Sequence, residues 1–130
     1  MIGVCLAAGL LHASLPLSRF TLAWTHSIEK IRWEEDYRVA DLSPPRLILT
    51  EARILGSGAG MEPPQDAVLK NGVYHYNPHL PPLKELRLTQ SPYTAGYQFC
   101  SGGRCRPLTA VLPGLKGETT VIVVSPCAIR

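Results

Sequence analysis

The chain has 130 residues, 45% of them hydrophobic and 18% charged, with a formal net charge of +3. That length supports one hydrophobic core and excludes a core plus a separate cofactor domain, while 12 Pro and 11 Gly mark a turn-rich globular chain. Lys and Arg are scattered rather than blocked, so charge gives no support to a nucleic-acid partner.

The first stretch, "MIGVCLAAGLLHASLPLSRF", carries an uncharged apolar run from Ile2 to Leu11. This is far shorter than the roughly 20 residues of a membrane-spanning helix. It suits the apolar centre of a secretory signal, although no basic residues precede it and the small residues Ala13 and Ser14 make an imperfect cleavage pattern. Residues 1–18 are therefore expected to be a signal-like or tether segment, contacting a membrane only if uncleaved, with residues 19–130 as the domain. A first β-strand of the domain is the other role open to them.

Strand signals dominate the remainder of the chain. Phe20 to Ile28 and Trp33 to Val39 alternate in polarity, and further strand candidates run over Arg46–Leu55, Val73–Tyr76, Leu83–Thr89, Gly96–Cys100, Arg106–Val111 and Thr119–Val124. Pro44-Pro45, Pro63-Pro64, Asn71-Gly72, Pro81-Pro82 and Pro113-Gly114 punctuate them. No stretch keeps a helical apolar period. The expected fold is all-β, a single-domain antiparallel β-sandwich or small barrel of about eight short strands.

The stretch "THSIEKIRWEED", which follows Trp24 and contains Trp33, concentrates one histidine and four carboxylates. If its flanks form a hairpin, matching the apolar faces pairs Leu22 with Val39, Trp24 with Tyr37 and His26 with Glu35. Glu35 then points inward with His26, and Glu34 and Asp36 fall on a solvated face. Pairing the next strand through Val39 with Leu47 and Tyr37 with Leu49 sets Glu51 beside Glu35, with Arg53 one step beyond. The inner face is thus expected to end in His26, Glu35, Glu51 and Arg53. Buried charges need partners, so this cluster is either a self-satisfied ion-pair network or a ligand site.

The loop "GSGAGMEPP" comes directly after this strand, and Gly56, Gly58 and Gly60 permit close backbone approach to an anion. It lacks the lysine and the strand-to-helix setting of a phosphate-binding loop, so a tight turn or bulge with Met61 packed on the core is its other role. His75 and His79 in "HYNPH" are not aligned by a helix, because Asn77-Pro78 interrupts it, and no ligand set is completed. No cofactor, metal or nucleophile motif is expected.

In "QFCSGGRC" a turn on Gly102-Gly103 sets Cys100 opposite Cys105 at a non-hydrogen-bonded position, close enough for a disulfide. A zinc half-site is the rival. Cys5 and Cys127 offer no second close pair, so Cys5 is expected to leave with a signal and Cys127 to be a lone thiol.

Together, "FTLAWTHSIEKIRWEEDYRV", "EARILGSGAGMEPP" and "CSGGRCRPL" resemble an uncharacterised family of bacterial exported proteins, domain of unknown function 1850, over Phe20 to Leu108. The resemblance implies export to the periplasm, possible tethering to a membrane, and a partner among TRAP-type solute transporters of the TAXI class. Its motif positions fall on His26, Ser27, Glu29, Glu34, Glu35 and the loop from Gly56 to Pro64, which includes Met61 and Glu62. The function expected is a non-enzymatic transport accessory or binding module for a small organic anion, with His26, Glu35, Glu51, Arg53, Gly58 and Gly60 at the site. The alternatives are a small hydrolase or isomerase using a His-carboxylate pair and a structural, protein-docking sandwich.

Overall fold

A computed structural model describes residues 1–25, 30–56 and 63–130. The architecture is all-β, two antiparallel sheets facing each other rather than a closed barrel. One sheet has four strands in the order β2 (Leu11–Leu15), β1 (Ile2–Ala8), β11 (Thr120–Ala128) and β8 (Leu86–Gln90). The other has seven, in the order β10 (Arg104–Pro107), β9 (Gln98–Ser101), β3 (Arg19–Thr25), β4 (Arg32–Ala40), β5 (Arg46–Leu55), β7 (Val73–Tyr76) and β6 (Val68–Lys70). Among the described residues the eleven strands exceed the eight expected because β1, β2 and the short β6 add to them. Arg106–Val111, expected as one strand, divides after Pro107 into β10 and a single helical turn, α1 (Leu108–Val111).

Residues 1–18 supply β1 and β2. An uncharged apolar run suits an inner strand as well as a signal, since such a strand is covered on both sides. Val4 and Leu6 are fully buried, and β1 lies between β2 and β11. This placement also corrects the expectation for two cysteines. Gly3 pairs with Cys127 and Cys5 with Ser125, and Cys5 is bonded to Cys127, so neither is a free thiol. The link closes almost the entire chain, with 122 residues of separation, and chain entropy gives such a loop about 5 kcal/mol of stabilisation. The second disulfide, Cys100–Cys105, joins β9 to β10 across the Gly102-Gly103 turn, as the spacing predicts. Its short loop is worth about 2 kcal/mol on the same chain-entropy argument.

The core lies where the sheets overlap. Val4, Leu6, Ile122 and Val124 of the smaller sheet meet Phe20, Leu22, Leu47, Leu49 and Phe99 of the larger, and Leu108 and Leu112 close one side. Phe20 stacks on Tyr37 and on Phe99, with ring centroids 5.3 and 4.9 Å away.

Candidate functional site

β3 and β4 pair Phe20 with Tyr37, Leu22 with Glu35 and Trp24 with Trp33. The expected register is therefore displaced by four residues. An even displacement leaves every side chain on its face, so polarity alternation cannot distinguish the two; the observed one brings aromatic residues opposite each other. Trp24 stacks on Trp33 at 6.2 Å, and Tyr97 leans against Trp24 at 5.5 Å.

The pairing of β4 with β5 begins as expected, with Val39 opposite Leu47 and Tyr37 opposite Leu49, but the next pair is Asp36 with Glu51. Thr50 is the extra residue of a β-bulge, and its hydroxyl donates to the carbonyl oxygen of Asp36 at 3.2 Å. One inserted residue moves everything after it to the opposite face. Ala52 and Ile54 turn inward and are buried, while Glu51 and Arg53 turn outward. The expected inner cluster of Glu35, Glu51 and Arg53 is thus divided between the two faces of the sheet.

On the outer face Arg53 gathers three carboxylates. Its Nε donates to Glu34 at 2.9 Å, Nη1 to Asp36 and Glu51 at 2.6 Å each, and Nη2 to the other oxygen of Asp36 at 2.7 Å. Arg32 donates to the second oxygen of Glu34 and to Gln98, Thr21 donates to Asp36 at 2.6 Å, and His75 lies 3.2 Å from Glu51. Glu34 and Asp36 are therefore not a solvated surface but parts of a network spanning β9, β3, β4, β5 and β7. Burial works to raise the pKa of both, but the hydrogen bonds from Arg53, with Arg32 at Glu34 and Thr21 at Asp36, outweigh it and hold both below the usual carboxylate range. The hydrogen bond to Asp36, followed by those to Glu34 and Glu51, raises the pKa of Arg53 despite burial. Three carboxylates occupy this guanidinium, leaving it no fork to offer a ligand anion.

Glu35 remains inside. Tyr37 donates to its Oε1 at 2.9 Å, yet burial dominates and raises its pKa. Burial, and then the charge of Glu35, raises the phenol pKa values of Tyr37, Tyr76 and Tyr97 as well.

Beyond the core the same inner face ends in an open cleft of about 500 Å³, walled by Trp24 and Tyr97 and edged by Thr25, Lys30, Ser91 and Thr94. Lys30 is the one charged group among its described lining residues. The sequence reading missed this cleft, because Ser91 to Tyr97 arrive from a loop distant in the chain. His26, Ser27, Glu29, Gly58, Gly60, Met61 and Glu62 lie outside the described residues. Gly56, next after β5, has a φ of 122°, a conformation suited to glycine. Among the described residues no group of three or more His, Cys, Asp or Glu side chains is arranged to hold a metal ion.

The model of the family described as "Domain of unknown function (DUF1850)" matches residues 20–108. The chain belongs to the DUF1850 family. The matched span of this DUF1850 chain contains the seven-stranded sheet, but for Arg19, together with β8, and so all of the outer network and the aromatic cleft. β1, β2 and β11 fall outside it. No curated protein and no solved structure gives a significant match.

Proposed function

We propose that this DUF1850 chain is a non-enzymatic, exported binding module that holds a small organic acid in the cleft between Trp24 and Tyr97. The supporting observation is the chemistry of the lining: aromatic walls for an apolar body, hydroxyl groups at the rim, and the ammonium of Lys30 without a carboxylate among the described lining residues. Arg53, whose side chain is only 18% exposed, belongs to the framework on the outer face of the same sheet and is not the anion receptor. Two disulfides fit an oxidising compartment and hence export. Among the described residues no helix is long and apolar enough to cross a membrane. The resemblance to chains linked with TRAP transporters of the TAXI class agrees in chemistry, since those transporters take up organic acids, and it supplies the partner of this reading.

The test is calorimetric titration of the oxidised protein with a panel of monocarboxylic and dicarboxylic acids. A ligand that binds and weakens at least tenfold in Lys30→Ala supports the reading; no binder, or one indifferent to Lys30→Ala, overturns it. Thr25 on the cleft wall is followed directly by His26 in the chain, so His26→Ala in the same titration decides whether the histidine contributes to affinity.

A further inference from the structure

Of the nine arginines, Arg19, Arg38, Arg104, Arg106 and Arg130 show no carboxylate partner among the described residues, and of these Arg104 and Arg106 line one cleft together. Arg32, Arg53 and Arg87 are each bonded to a carboxylate, and Arg46 donates to the carbonyl oxygens of Pro44 and Pro45. Arg104 and Arg106 have no acidic partner within salt-bridge distance among the described residues, although both are on the short strand β10 at the edge of the larger sheet. They share a face two residues apart, which places their Cα atoms roughly 6.5 Å from each other. Their cross-strand partners are Ser101 and Phe99. These four residues and Leu17 line a second cleft of about 370 Å³ that contains no carboxylate among its lining groups.

We propose that this cleft is a separate binding site for a small dianion, with the Arg104 and Arg106 guanidiniums as forks for its oxygens and the Ser101 hydroxyl as a third donor. Two adjacent like charges repel each other and gain from an anion between them. A planar guanidinium offers paired donors to either a carboxylate or a phosphate. The place is also held in advance. Cys100 and Cys105 point to the opposite face of the hairpin, and their bond fixes β10 against β9, so little order must be created when the anion arrives. The outward ladder position at Pro107 has no N–H, which disfavours extension of the sheet by a partner strand and leaves a small ligand as the fitting occupant.

Succinate and inorganic phosphate are the two probes, and backbone amide shifts of Ser101, Arg104 and Arg106 in the oxidised protein are the readout. Saturable shifts with either probe are expected, weakened at least tenfold in Arg106→Ala and in Arg104→Ala, and retained in Lys30→Ala. Stronger binding of succinate identifies a dicarboxylate site, and stronger binding of phosphate a phosphate site. Both side chains are exposed, so the substitutions leave the fold intact, and Arg106→Lys keeps the charge while removing the fork. Absence of saturable shifts with both probes overturns the proposal. Shifts that persist unchanged in the Arg104→Ala, Arg106→Ala double variant do so equally, since the arginines would then not be the receptors.

Discussion

Glu34 and Asp36 face one side of β4 and Glu35 the other, and the fold drives their acidities in opposite directions. The outer pair lies in the network around Arg53, where charged donors more than offset the burial that would make them weaker acids. The inner one receives a single neutral donor, the Tyr37 hydroxyl, and burial prevails. Burial alone therefore does not decide the charge state of a carboxylate in a half-covered sheet. The deciding quantity is how many charged donors the neighbouring strands deliver to that face.

Arg53→Ala should have the largest effect on this contrast. It would leave Glu34, Asp36 and Glu51 facing one another, and a loss of about 2–3 kcal/mol is expected after allowing for partial exposure, measured by urea denaturation of the oxidised protein. Titration probes the same network. The folded-state pKa values of Glu34 and Asp36 lie below their unfolded ones, so their stabilisation is complete above the ordinary carboxylate range and is lost as pH falls through the lowered values. In wild type a steep loss of stability on acidification is expected below about pH 4.5, and Arg53→Ala should flatten it. A midpoint in the variant that falls as steeply would show that other groups dominate acid unfolding.

A smaller effect is expected from Thr21→Val, which keeps a strand-forming shape but removes the 2.6 Å bond to Asp36. About 1 kcal/mol should be lost at neutral pH, and the difference from wild type should shrink once Asp36 is protonated. The smallest effect should have the opposite sign. Because the folded pKa of Glu35 is raised, its favourable contribution is present below the unfolded value and fades as pH rises through the folded one. Glu35→Gln retains an acceptor for Tyr37 without the charge, so it should stabilise by about 0.5 kcal/mol at pH 7 and be near neutral at pH 4. Equal destabilisation at both pH values would mean that the carboxylate is paired in a way the contrast does not contain.

Much of this contrast was legible in the residue order. Alternation placed Glu35 inside and Glu34 and Asp36 outside, and the Gly102-Gly103 turn identified the Cys100–Cys105 pair. The bulge left a trace that the regular pairing ignored: Leu47 and Leu49 are spaced by two, but Ala52 comes at three and Ile54 at two again. An apolar pattern that slips by one residue within a strand marks an insertion, and respecting it would have placed Glu51 and Arg53 outside. Leu88, reached through β11, and Tyr97, reached through β9, had no comparable local signal for where they would pack.

The sequence by itself determined most of the strand content after Arg19, the face of each residue on β4 and the short hairpin disulfide, because these depend on a two-residue period and on turn chemistry that act over a few residues. Only the tertiary structure decided the β3–β4 register, the joining of Cys5 to Cys127 and the assembly of the outer network. Registers that differ by an even step have identical faces and nearly identical local patterns. They are distinguished by what stands opposite, Trp33 against Trp24 and Tyr37 against Phe20, and by what neighbouring strands add once they share the sheet.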